Sequence, residues 1–477
     1  MIDLKKIITQ IDNATFTALE NDFTKNKAEN SLYLLKAYKN GNPKDAEIQE
    51  HLKINSSALY TLKSRLYDKI QNKIAGSDDL TEDELLKQVN EIHSICYNNS
   101  REIAIAFLTK LEDNLKKHDM SGELLVVYSA LKQLHLFSEK YFQYSQIYNR
   151  QIACYLTTEK SIEILGNFNK ILMQYDFSKS AADLETLLFL HKGILEQYSL
   201  NSSRQIEVVK NIMEVELCLF TGAEKMKAEV SIADHLKKTA ELIDKLPAYS
   251  EQKQWMPVIN FLNFEFYVGK GDFKTAAGYY EMLDSLEETI SQFSNNFMIT
   301  RFLISKFSYL RQSSPATLPF VPLFDESKMD EKNTHLLVMA SIHNSMVHFY
   351  QGKNKESVGI LNNLLNNISV KDLHFININL KLSLAYLYLK RKDFSLAENT
   401  LKSLMRKIKS DNLDQFNYVN NLIKLLLGET NPKGRKTAEE GSDLLVLFES
   451  KNSQNGVFSH FLPELKNQYL QGHGVKS

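Results

Sequence analysis

Residues 384–404 read LAYLYLKRKDFSLAENTLKSL, and the fold of the chain turns on how they are interpreted. Leu384, Ala385 and Tyr388 precede a break at Asp393, after which Phe394, Ala397, Leu401 and Leu404 recur at the three- and four-residue intervals of one helix face. The stretch 267–283 repeats this arrangement without a gap: Tyr267, Gly271, Asp272, Phe273, Ala276, Tyr280 and Leu283 come in register with it. Ser345, Gly352, Ser357, Leu361 and Leu364 hold the equivalent positions in a third, weaker copy. Forty residues separate Ser357 from Ala397, and eighty-one, about twice that interval, separate Ala276 from Ser357. Such a period marks a stack of supersecondary units, and one further unit around 294–320 fits the gap.

Outward from these copies, helix-length apolar patterns alternate with short polar breaks from Glu82 onward. In Ser203–Phe220, the residues Ile206, Val209, Ile212, Met213, Leu217 and Phe220 share one helical face. The breaks at 200–203 (LNSS) and 221–224 (TGAE) place Asn, Ser or Gly where a helix stops or is capped. The periodicity predicts helices near 82–98, 101–117, 121–137, 139–156, 159–175, 179–198, 203–221, 224–245, 252–269, 273–290, 294–312, 333–351, 354–367, 372–390, 394–409, 412–427, 437–450 and 457–470.

Composition points the same way. The 477 residues include only 17 glycines and 8 prolines, against average usage of about 7% and about 5%. No proline occurs between Pro43 and Pro247, which a β-rich or α/β domain of that size would seldom manage. An all-α chain is therefore expected, and 43% hydrophobic residues suffice for a sizeable core. A formal net charge of -1 gives no global attraction to nucleic acid or to an acidic membrane. Cys96, Cys154 and Cys218 are far apart and form no CxxC pair, so they read as buried thiols of a reducing compartment. MIDLKKIITQIDN lacks the apolar core of a secretory leader, and no stretch reaches the roughly 18 apolar residues of a membrane span. A cytoplasmic protein without a membrane segment is the expectation.

The three aligned copies resemble tetratricopeptide repeats, although their period is near forty residues rather than 34. Good matches cover roughly a quarter of the chain; upstream pairs such as 121–137 with 139–156 keep the rhythm without the small-residue signature. Ala276, Ser357 and Ala397 stand where two helix backbones would cross, and a larger side chain there would force the pair apart. The expected fold is an α-α superhelix, a tetratricopeptide-like solenoid of antiparallel helix pairs with a small N-terminal helical domain. Its expected divisions are 1–77, a solenoid over 82–312, a proline-containing loop over 313–332, a second solenoid part over 333–470 and a tail over 471–477. The resemblance implies that the first helices line a groove for an extended peptide or a helix. It carries the groove positions to Phe261, Glu265 and Val268 in the first repeat, and to Ile342, Met346, Phe349 and Tyr350 in the middle one. In the last repeat they are Asn379, Leu382, Tyr386 and Lys390. Most are apolar, which suits an amphipathic partner, unless a tighter superhelix or the 313–332 loop covers them.

That loop, SSPATLPFVPLFDESKMDEK, holds three prolines and no helical periodicity. It is either a functional loop or a longer connection whose Phe320, Val321 and Phe324 dock onto the solenoid. A second polar interruption, GETNPKGRK, occupies 428–436.

Residues 30–74 depart from the repeat rhythm. A helix at 30–40, a short one at 44–52, LysIleAsn at 53–55 and a long helix at 56–74 resemble the helix-turn-helix of the DNA-binding region of bacterial sigma factors. Ile48, Leu52, Ile54, Leu59 and Leu62 take the packing positions, with an Asn55-Ser56-Ser57 cap; Gln49 stands where that family prefers alanine and Lys53 where it prefers glycine. Over 1–77, twelve Lys and Arg face nine acids, and 53–73 is distinctly basic. The resemblance implies that Lys63, Lys69 and Lys73 meet phosphates while Ser57, Tyr60, Thr61 and Ser64 face the groove. The alternative is a three-helix cap with a solvated basic face.

No HExxH, GxSxG or Rossmann glycine pattern occurs, and Gly434-Arg435-Lys436-Thr437 lacks the glycine spacing and the preceding strand of a phosphate loop. His343 and His348 are five apart, off the spacing of a helical metal pair, and read as structural. Tyr141, Phe142, Tyr144 and Tyr148 read as interhelix packing. No catalytic residue, metal or cofactor is expected. The leading expectation is a non-enzymatic scaffold binding a protein or peptide, with a second copy of the chain among the candidate partners. The competing expectation is a transcriptional regulator that binds DNA through 1–77 and senses a peptide or protein with its solenoid.

Overall fold

The computed structural model describes residues 4–41, 43–75, 80–222, 232–246, 255–285, 296–325, 333–368, 370, 373–431, 437–451 and 457–471. Among these residues every regular element is an α-helix or a short 3-10 turn, and no strand is formed. The chain divides into two compact units, Met1–Lys160 with Asp244–Lys253, and Ser161–Ile243 with Gln254–Ser477.

The first unit opens with α1 (Leu4–Gln10), α2 (Asn13–Lys25), α3 (Glu29–Asn40), α4 (Asp45–Leu52) and α5 (Ser56–Ala75). Asp12 starts α2 by accepting the Thr15 N–H at 2.7 Å, satisfying a donor that the first turn leaves orphaned. Ile7, Leu19, Leu34, Tyr38, Ile48, Leu59, Leu66 and Ile70 form one core, which also takes in Ile103 and Ala106 of α7 (Arg101–Lys117). A second core joins α7 to α6 (Glu82–Asn98) and α8 (Ser121–Leu134) through Leu85, Ile92, Leu108, Leu111, Val127 and Leu131.

The two helices expected at 139–156 and 159–175 are one helix, α9 (Lys140–Ser178), 39 residues long. Thr157 and Thr158 looked like a break, but both hydroxyls bond back to the Cys154 carbonyl, at 2.7 and 3.2 Å, inside an unbroken turn. With no Gly or Pro nearby, nothing stops the helix. Of the aromatic run on α9, Tyr144 and Tyr148 pack on the second core, while Phe142 is 74% exposed.

In the second unit, α10 (Ala181–Leu200), α11 (Arg204–Thr221), α12 (Ile232–Asp244), α13 (Met256–Lys270) and α14 (Phe273–Ser285) lead to α15 (Asn296–Ser313). There follow α16 (Thr334–Tyr350), α17 (Asn354–Asn367), α18 (His374–Lys390), α19 (Phe394–Ser410), α20 (Val419–Thr430), α21 (Ala438–Lys451) and α22 (Leu462–Gln471). From α15 to α22 each helix packs on the next, as do α10 on α11 and α13 on α14, so the hairpins succeed one another in file. Ala276, Ser357 and Ala397 are all fully buried where their pairs cross. In the middle pair the Ser345 and Ser357 hydroxyls lie 2.9 Å apart, so even the polar copy closes the crossing.

The hairpin turns repeat as well. Gly271, Gly352 and Lys392, equivalent in the three copies, all take the left-handed conformation, with φ of 75°, 74° and 66°. The residue after each donates to the carbonyl five positions back: Asp272 to Tyr267, Lys353 to His348 and Asp393 to Tyr388, at 3.0, 2.8 and 2.9 Å. This Schellman closure satisfies the last carbonyls of one helix while reversing the chain into the next. Lys392 adopts it without glycine's freedom, at a cost of about 1 kcal/mol or more.

Several boundaries differ from the sequence pattern. The helix expected at 412–427 begins only at Val419, because Asn412 is left-handed with φ 50° and a 3-10 turn, Asp414–Phe416, buries Phe416. The unit around 294–320 consists of α15 and a 3-10 turn, Pro315–Phe320, in place of a second helix. That connection docks through Leu318 and Val321, whereas Phe320, expected to dock, is 84% exposed. Asn344 fastens it by accepting from the Phe324 N–H at 2.8 Å. His343 is indeed structural: its ring nitrogens lie 3.0 Å from the Leu303 and Pro322 carbonyls, and burial lowers its pKa to about 4. Cys96, Cys154 and Cys218 are half-buried rather than buried. The expected helix segments at 224–231, 252–254 and 286–295, and the tail at 472–477, lie outside the described residues.

Because the crossing admits no bulk, Ala397→Leu, which forces extra carbons between two backbones, should lower unfolding stability by about 1–3 kcal/mol. Lys409→Ala on the exposed face should change it by less than about 0.5 kcal/mol. Urea denaturation of the two variants compares them; equal midpoints would mean that the crossings do not require small residues.

Candidate functional site

The expected groove positions fall on the first helices α13, α16 and α18 of the second unit, but most are closed. Phe261, Ile342, Met346, Asn379, Leu382 and Tyr386 are each no more than 1% exposed. For the last two repeats the cover is a later part of the same chain. Phe461 meets the rings of Phe349 and Tyr386 at 5.1 and 5.5 Å, and Phe458 meets Tyr386 at 6.2 Å. Polar contacts hold this irregular segment to the helices: the Phe458 N–H donates to Asn379 Oδ1 at 3.2 Å, and Arg311 Nη1 donates to the His460 carbonyl at 2.8 Å. Tyr386 donates to Glu464 at 3.5 Å, and Lys390 sits 5.1 Å from the Tyr386 ring. Tyr350 stacks on Phe307 at 5.8 Å. The helix expected at 457–470 is thus a 3-10 turn, Val457–His460, followed by α22. Phe458, Phe461, Leu462 and Leu465 are buried by the face that was expected to stay open.

The first repeat differs. Glu265 and Val268 line a cavity of about 620 Å³ framed by α11, α13 and α15, with His460 and Met339 at one side. Phe220, Phe266 and Ile304 supply apolar wall, and Lys270, Arg301, Arg311, Ser305 and Ser308 supply polar groups.

Behind the cavity lies a buried ionic cluster. Arg301, whose side chain is 4% exposed, donates from Nη1 to both Asp176 oxygens at 3.0 and 3.1 Å and from Nη2 to Glu265 at 3.3 Å. Lys179 reaches Asp176 at 2.9 Å. The Phe220 ring lies 5.0 Å from the Arg301 guanidinium, so the charge is held between carboxylates and an aromatic face. Burial alone would raise the Asp176 carboxyl, but Arg301 and Lys179 outweigh it and hold its pKa at about 2. Burial, aided by Arg311 and Arg301, lowers His460 to about 3, so the ring lining the cavity is neutral at pH 7.

In the first unit, Lys53 is left-handed with φ 55°, and the Ile54 N–H bonds the Gln49 carbonyl at 3.1 Å. The turn between α4 and α5 is therefore the same Schellman closure that the repeat hairpins use, formed without the glycine. Asn55 Oδ1 caps α5 by accepting from Ala58 at 2.8 Å. Leu59, Leu66 and Ile70 face the core, while Ser57, Tyr60, Thr61, Ser64, Lys69 and Lys73 are exposed. Lys63 is tied to Asp45 at 2.6 Å and only half-exposed, which separates it from the free lysines.

Among the described residues no group of three or more His, Cys, Asp or Glu could hold a metal ion, and no helix is long and apolar enough to cross a membrane. Comparison with protein-family models, curated proteins and solved structures finds no match. Of the expected groove positions, Glu265 and Val268 line the cavity, whereas Arg301, Asp176 and Lys179 were not among the expected residues. The available signal was Arg301 itself, one of two basic residues, with Lys306, inside the otherwise uncharged and mostly apolar run FMITRFLISKF at 297–307.

Replacing Arg301 by Met should cost about 3–5 kcal/mol at neutral pH, because it leaves Asp176 and Glu265 buried without their shared partner. Since the folded pKa of Asp176, about 2, lies below its ordinary 3.8, the pairing stabilises above that ordinary value and is lost as pH falls through the interval. Melting temperatures across that interval should fall more steeply for the wild type than for Arg301→Met. Parallel curves would show that the cluster does not carry this linkage.

Proposed function

We propose that this chain is a non-enzymatic, cytoplasmic interaction scaffold, tetratricopeptide-like in its helix pairs, that takes a peptide segment of a protein partner on its first helices. One observation carries the reading: the same helix face already holds another stretch of the chain, in a 3-10 turn. Val457–Phe461 packs against α15, α16 and α18, with backbone groups bonded by Asn379 and Arg311 and with Phe458 and Phe461 sunk between helices. A solenoid holds a bound peptide by the same two means, main chain by polar side chains and anchors by pockets. Where the segment ends, the face continues as the open cavity at Glu265 and Val268. The expected groove is narrowed to this end, since its far end belongs to the core.

Dodecapeptides selected from a random display library on the full chain should bind there, and Val268→Glu should weaken them at least ten-fold while Lys409→Ala leaves them unchanged. Selection of a peptide from the chain itself would make a second copy the partner. If no peptide is selected, or if Val268→Glu binds as well as the wild type, the reading fails.

A second reading, a regulator that binds DNA through its N-terminal helices, is favoured by one observation: Tyr60, Thr61, Ser64, Lys69 and Lys73 all lie exposed on α5. With Lys63 tied to Asp45, two lysines remain for phosphates. Duplex affinity of the full chain should then fall roughly ten-fold between about 50 and about 200 mM salt, and Lys69→Glu with Lys73→Glu should abolish it. Absence of binding at low salt removes this reading.

A further inference from the structure

On the wall of the cavity at the open end of the face, positive side chains outnumber negative ones, Arg301, Arg311 and Lys270 against Glu265. Arg301 is matched by Asp176 and Glu265, and Lys179 is matched by Asp176. Arg311 is different. Its Nη1 is committed to the His460 carbonyl at 2.8 Å, its Nε has no partner, the Tyr350 hydroxyl lies beside it, and no ion pair joins it to a carboxylate among the described residues. Glu464, the acid that acts on it electrostatically, does so from beyond ion-pair distance and accepts from the Tyr386 hydroxyl at 3.5 Å. Lys270 adds a second cation at the rim, exposed and 4.4 Å from the Phe266 ring. Asp272, beside it, is taken up in capping Thr275, through contacts of 3.1 and 2.7 Å.

The surroundings make that charge effective. Phe220, Phe266, Ile304 and Met339 supply apolar wall around it, and a charge-assisted hydrogen bond is stronger than a neutral one. A guanidinium offers parallel donors that match a carboxylate. The volume, about 620 Å³, is that of a pocket for a chain end or a pair of side chains.

We propose that this cavity recognises a carboxylate of the bound peptide, an acidic side chain or a free C-terminus flanked by an apolar residue, with Arg311 as its counter-charge. The proposal rests on the peptide-binding reading and adds its chemistry.

The test uses the full chain with Cys96→Ser and Cys154→Ser, so that Cys218, which lines the cavity, is the one thiol left for maleimide labelling. Dodecapeptides from the random library are synthesised in acidic, side-chain-amidated and C-terminally amidated forms. Binding is followed by fluorescence anisotropy and placed by protection of Cys218. The expected result is that cavity-protecting peptides need one carboxylate, that amidating it weakens them ten-fold or more, and that Arg311→Gln weakens them equally without adding to the amidation. Arg311→Lys should recover part of the loss, and Lys270→Gln, at the exposed rim where folding is not at stake, should cost a few-fold. Peptides that protect Cys218 with no carboxylate requirement and bind Arg311→Gln and Lys270→Gln unchanged overturn this inference and leave the peptide reading standing. Failure of every peptide to protect Cys218 overturns both. Protection by inorganic sulfate at peptide-like concentration overturns the peptide as source of the anion.

Discussion

The second unit depends on the close crossing of paired helices at positions that admit no bulk. Ala276, Ser357 and Ala397 are completely buried, and each follows a left-handed turn, at Gly271, Gly352 and Lys392, that brings the second helix back onto the first. The two features work together. The Schellman closure fixes where the second helix begins, and the small residue, five positions beyond the turn, lets the backbones approach once it has begun. Because that arrangement recurs, each pair offers the next a similar apolar flank, and stacking follows from the need to bury it.

From stacking comes a face shared by first helices, and the chain uses most of that face itself. The aromatic side chains of 457–465 bury Phe349, Asn379 and Tyr386, so what the repeat pattern marks as groove is largely core. Burial of this kind removes apolar surface that would otherwise be exposed over a wide patch. It also concentrates the remaining accessible chemistry at the Glu265 end. There a buried cluster of Arg301, Asp176, Lys179 and Glu265 joins α9, α13 and α15. Removing one member of so deeply placed a cluster leaves its partners charged and buried, which costs far more than an exposed ion pair would.

The first unit shows the limit of motif reading. Lys53 takes the left-handed turn that a helix-turn-helix requires, but the same closure appears at hairpins across the chain, at Lys27, Asp119 and Asn412 among others. A turn is a local solution to unsatisfied carbonyls and does not by itself specify what the next helix touches. The exposure of Tyr60 and Lys69 and the pairing of Lys63 with Asp45 depend on neighbours that α5 shares with α2, α3 and α7.

Helix identity and the crossing residues were legible in the sequence because both are set by intervals of three and four residues and by the scarcity of Gly and Pro, which act locally. Glu265 and Val268 followed from the repeat register for the same reason. The continuous α9, the cover over Tyr386 and the partners of Arg301 were not legible. Asp176 and Arg301 are 125 residues apart, and Phe458 and Asn379 are 79 apart; contacts at such separation leave no period in the chain. They are decided only when the stacked pairs bring distant side chains into one low-dielectric space, where each buried polar group must find its partner.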